Sequence, residues 1–133
     1  MLKKVVVGCG MAVLSIQASN ASTLSNYEIV RQSFEIAAGL NRIAQLNSSD
    51  LCAGDISVAA AYIESAGREL QRDKQLTALT SLTYGQNELK EISAIRTYCN
   101  QLAPEVKPYF ARTILIKSEL ENEPPEAPDQ TSD

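Results

Sequence analysis

From Ser25 onward the apolar side chains of this chain return every third or fourth residue. That period leaves room for little except α-helix packed on α-helix. In LSNYEIVRQSFEIAAGLNRIAQL, Ile29, Ile36, Leu40 and Ile43 form one stripe, widened by Val30, Ala37 and Ala44. Arg31, Glu35 and Arg42 fall on the opposite side, so the segment predicts an amphipathic helix over 25–46. Ser25 and Glu28 have the capping-box spacing, in which each side chain satisfies the other's free backbone donor. Gly39 inside this helix costs about 1 kcal/mol against alanine, a cost that close approach of another helix would explain.

The stretch NSSDLCAGD reads as a turn that carries Cys52, with Asp55 placed to cap a second helix. The stripe of that helix is Ile56, Ala59, Ala60, Ile63, Ala66 and Leu70, a small-residue face that a neighbouring backbone can approach closely. QRDK is a polar break. QLTALTSLTYGQN is ambiguous, because Leu76, Leu79 and Leu82 suit a helix while its threonines and Tyr84 favour a strand. Helical neighbours and the lack of a partner strand decide for helix, with Gly85 and Asn87 as points of interruption. Leu89, Ile92, Ile95 or Arg96, Cys99 and Leu102 then predict a helix with Cys99 on its inner side. Pro104 should stop it, and Pro108 suits the first turn of a last helix over 108–120.

The first 21 residues have another character. Lys3 and Lys4 precede an apolar run over 5–16 and a small-polar stretch, QASNA. This is the layout of a secretory signal peptide, cut after Ala21 with Ala18 as the second candidate. The run is shorter than the about 20 apolar residues a membrane span needs. VVGC at 6–9 resembles the lipobox of bacterial lipoproteins. Only three valines separate Lys4 from Gly8, however, and the chain stays apolar beyond Cys9. The cleaved form, without a lipid on Cys9, is therefore the expectation, and the protein is expected in the periplasm or secreted.

Export leaves Cys52 and Cys99, and only one intramolecular pairing is open to them. A disulfide between them closes a loop of about fifty residues, which the chain-entropy model rates at about 4 kcal/mol. Such a bond belongs in an oxidising compartment. The expected organisation is a signal peptide over 1–21, a helical domain over 22–121 and a disordered, acidic, proline-rich tail over 122–133. The fold class expected is all-α, a small bundle of four to five helices stapled by one disulfide.

Without Lys3 and Lys4, ten basic residues face 16 acidic ones, a net charge of −6. Six of the acids lie at or beyond Glu119, so the body over 22–118 is neutral. A neutral body with an acidic tail argues against nucleic acid as a partner, which calls for a basic face. The chain has no histidine, which removes the commonest general base and metal ligand. There is no glycine-rich phosphate loop and no Cys-x-x-Cys. The carboxylates left for acid–base work, Glu64 with Glu69, Glu88 with Glu91, and Glu105, read as solvated helix faces.

No catalytic residue, cofactor or metal site is expected, and the chain reads as a non-enzyme that binds another protein. TYCNQLAPEV suggests a hinge in which Pro104 and Pro108 orient the last helix as one wall of an apolar groove. In size, helix content and cysteine spacing the chain resembles two kinds of small exported helical protein. These are the secretin-targeting pilotins and the acid-stress chaperones of the bacterial periplasm; the resemblance is one of outline and rests on no residue-level motif. It implies an adaptor, chaperone or assembly factor of an envelope or secretion system. The alternative is a periplasmic immunity protein that neutralises a toxic enzyme.

Overall fold

The computed structural model describes residues 25–122. The expected signal peptide, and the expected tail from residue 123 on, lie outside the described residues. Four long helices account for most of the rest: α1 (Asn26–Leu46), α2 (Ala53–Gln71), α3 (Gln75–Ala94) and α4 (Ala103–Asn122). A single 3-10 turn, Thr97–Cys99, stands between α3 and α4. Each helix packs on the next and α1 also packs on α4, which closes a four-helix bundle with no strand among the described residues. None of these helices is long and apolar enough to cross a membrane.

The predicted stripes are the buried faces. Ile29, Ile36 and Leu40 of α1 meet Ile56 and Ile63 of α2, Leu82, Leu89 and Ile92 of α3, and Ile116 and Leu120 of α4, all shut off from water. Ser25 caps α1 by accepting the Glu28 N–H at 3.2 Å, while the Glu28 carboxylate turns to Arg31. α2 differs from expectation at its start. Its cap position is Cys52, with no side-chain cap, and Asp55 faces elsewhere. The turn before it is held by Asp50, whose carboxylate accepts the Cys52 N–H at 2.7 Å. α2 ends in a Schellman arrangement, with Lys74 N–H on the Glu69 carbonyl and Asp73 N–H on the Leu70 carbonyl. Asp73, at φ 60°, takes the left-handed position that glycine usually fills.

The ambiguous stretch is helix throughout, because α3 runs unbroken through Gly85. A Cβ at Gly85 would lie 2.7 Å from Ile63 Cγ1, so the missing side chain lets α3 settle onto α2. Gly39 has the same kind of cause: a Cβ there would come within 2.4 Å of the Tyr109 ring on α4.

Two boundaries correct the sequence reading. α3 stops at Ala94, and Arg96 turns extended, so Cys99 rides on the 3-10 turn and not on a continuing helix. α4 starts at Ala103, with Pro104 in its first turn and Pro108 inside it. The two prolines thus form no hinge. Pro108 lacks the N–H that would have met the Pro104 carbonyl, and both residues lie on the exposed side of the helix.

Candidate functional site

The disulfide gathers charge around one end of the bundle. Cys52 and Cys99 are joined with their Cα atoms 5.0 Å apart, and both are fully buried. Asp55 sits one turn beyond Cys52, while Arg96 and Tyr98 precede Cys99, so the bond brings these three side chains together. Arg96 Nη1 lies 3.1 Å from Asp55 Oδ2 and 2.7 Å from Glu88 Oε2, and Arg96 Nη2 lies 2.7 Å from Glu91 Oε1. The Tyr98 hydroxyl donates to Asp55. One guanidinium therefore ties the start of α2 to the end of α3.

The network sets its own electrostatics. Hydrogen bonding to Glu88, helped by the Glu91 and Asp55 charges, holds Arg96 even further above its ordinary pKa. The bond to Asp55 raises the Tyr98 hydroxyl, because a tyrosinate there would face a carboxylate. The side chains of Arg96, Asp55 and Glu88 stay about a quarter exposed, and Glu91 more so. Such a cluster adds little stability for its number of contacts, but it fixes side chains at a surface.

That surface continues along both helices. Asp55, Val58 and Tyr62 follow one another at three- and four-residue spacing on α2, as do Tyr84, Glu88 and Glu91 on α3, with Ile95 just past its end. The two outer stripes make one face: Arg96 joins them at one end, and the Tyr62 and Tyr84 rings meet at a centroid distance of 5.4 Å further along. Val58, Tyr62, Tyr84, Ile95 and Tyr98 are between 38% and 60% exposed. Apolar and tyrosyl side chains thus surround a fixed charge cluster on an open face.

The other residues singled out from the sequence do not converge. Glu64 pairs with Arg68, Glu69 accepts from the Ser81 hydroxyl at 2.7 Å, and Glu105 lies in the first turn of α4. Glu88 and Glu91 do share a face, but both are turned to Arg96. Among the described residues no group of Cys, Asp or Glu side chains is arranged to hold a metal ion. A cleft of about 360 Å³ opens elsewhere, between the start of α1 and the end of α2, lined by Tyr27, Val30, Phe34 and Leu70 among others. Its one charged residue, Arg31, is engaged by Glu28 and Glu35.

The central residue, Arg96, is one the sequence does not announce. It meets Glu88 across eight positions, beyond the reach of helical neighbours, and Asp55 across forty-one. The Tyr98–Asp55 and Tyr62–Tyr84 contacts are likewise tertiary. The cysteine pair is the one signal that places these residues in a common neighbourhood. No family model, no curated protein and no solved structure matches this chain.

Proposed function

We propose that the chain is an exported, non-enzymatic helical protein that docks on another polypeptide, as an adaptor, chaperone or assembly factor of an envelope or secretion system. The observation that supports this reading is the face made by α2, α3 and the turn that follows, where exposed Val58, Tyr62, Tyr84, Ile95 and Tyr98 frame the Arg96 cluster. Tyrosine and arginine contribute disproportionately to protein interfaces, because they offer large contact area with few torsions to freeze. The buried disulfide fits an oxidising compartment and so supports export.

Within that class, the fixed geometry favours a single cognate partner over many clients. Promiscuous binders rely on flexible, methionine-rich surfaces. Here both methionines, Met1 and Met11, lie in the first 21 residues, and the face is built of tyrosine and valine. The same fixed face keeps a second reading open, an inhibitor of one toxic enzyme, which also requires a rigid, one-to-one contact.

In-cell cross-linking followed by affinity recovery and mass spectrometry tests these readings together. The adaptor reading expects one or a few stoichiometric envelope proteins. Recovery of a single enzyme would favour the inhibitor, and a broad set of unfolded clients the chaperone. No cross-linked protein at all would overturn docking.

A further inference from the structure

We infer that the segment received by the α2/α3 face is cationic: a stretch of partner polypeptide with Arg or Lys beside an apolar side chain. This rests on the docking reading above and adds the chemistry of the occupant. Asp55, Glu88 and Glu91 all pair with one cation, Arg96, so the cluster itself carries an excess of two negative charges. Arg96 does not use up their acceptors. Asp55 Oδ1 and Glu91 Oε2 take part in none of its ion pairs, and the Glu91 side chain is 46% exposed.

Further along the face, the paired Tyr62 and Tyr84 rings stand partly exposed, where an ammonium or guanidinium gains from an aromatic face. Val58 and Ile95 supply apolar contact beside these acceptors. An occupant with cationic and apolar groups in alternation satisfies all three features at once. A second copy of this chain does not, since two such faces would bring their excess negative charges together. An anionic segment is disfavoured for the same reason.

The test is a titration of the disulfide-bonded protein, followed by amide NMR, with two peptides. One is an amphipathic helical peptide of leucine and lysine, and the other carries glutamate at every lysine position. The lysine peptide should bind about tenfold more tightly and shift amides of Val58, Tyr62, Tyr84 and Ile95. Glu91→Gln should weaken it about threefold. Glu105→Gln, which removes the same charge on α4, should leave it nearly unchanged.

Tyr84→Ala should weaken binding about fivefold through loss of the ring. Equal binding of both peptides would overturn the inference, as would equal effects of the two glutamine variants or shifts confined to the cleft at Tyr27 and Phe34. The two levels of the proposal fail separately. If a cross-linker at Tyr84 captures a partner in cells but the lysine peptide has no preference, the cationic occupant is wrong and docking stands. If neither binds, both fall.

Discussion

The outer face of α1 and the shared outer face of α2 and α3 are built from similar helices and present opposite surfaces. On α1, Glu28, Arg31 and Glu35 form a chain of ion pairs one turn apart, extended to Arg112 of α4. The bond to Arg31 holds the Glu28 carboxyl below its usual range. Glu28, Arg31, Glu35 and Arg112 each have an oppositely charged neighbour on the same surface. The α2/α3 face gathers three carboxylates on one arginine, leaves carboxylate oxygens over, and sets exposed valine, isoleucine and tyrosine around them. Self-satisfied polarity marks the first as a solvent face. Incomplete satisfaction beside apolar surface marks the second as a face that meets something.

The comparison breaks most visibly if the covalent tie is cut. Replacing both cysteines, Cys52→Ser with Cys99→Ser, should lower stability by about 4 kcal/mol, measured by denaturant unfolding. Loss of order should concentrate at Asp55, Arg96 and Tyr98 and spare the α1 ion pairs. Uniform disorder across both faces would mean that the disulfide supports the whole bundle and not this face in particular.

The two glycine seams offer the next contrast. Gly85→Ala should destabilise by about 1–3 kcal/mol, since its Cβ would strike the buried, branched Ile63 and sit 3.4 Å from Tyr62 Cβ. Gly39→Ala meets the far end of the Tyr109 side chain, which can swing aside, and gains helix propensity of about 1 kcal/mol. Its net effect should be the smaller of the two in thermal unfolding.

Much of this architecture can be read from the residues alone. The stripes of α1 and α2 and the capping role of Ser25 follow from local spacing, and the cysteine pair from the single pairing left once Cys9 is expected to leave with a signal peptide. The errors fall where tertiary contact overrides local pattern. Apolar spacing continues past Ala94, yet the chain leaves the helix so that Cys99 can reach Cys52 and Arg96 its carboxylates. Pro108 reads as a helix start, although α4 accommodates it one turn in, on its exposed side. The candidate face was hidden for the same reason. Its acids look like solvated helix residues until Arg96, many positions away, arrives among them.

Single-residue changes at the two charge clusters should differ modestly. Arg96→Ala leaves Asp55, Glu88 and Glu91 facing one another, and should cost about 1 kcal/mol in chemical unfolding. Arg31→Ala, on the solvent face, should leave the melting temperature unchanged within error. Similar losses at both sites would erase the distinction between the faces.

The smallest expected effect is a pH dependence. The fold raises the Tyr98 pKa, so the Tyr98–Asp55 bond contributes its full stability below the ordinary tyrosine range and loses it as pH rises through the raised value. The melting-temperature gap between the protein and Tyr98→Phe should therefore hold steady below about pH 9 and narrow above about pH 10. A gap that widened with alkalinity would reverse the assigned sign.

The most direct test of the docking face is site-specific photo-cross-linking in cells, with a benzophenone side chain placed either at Tyr84 or at Arg31. The account predicts a discrete polypeptide adduct from position 84 and none from position 31. Adducts of equal yield from both, or from position 31 alone, would contradict it.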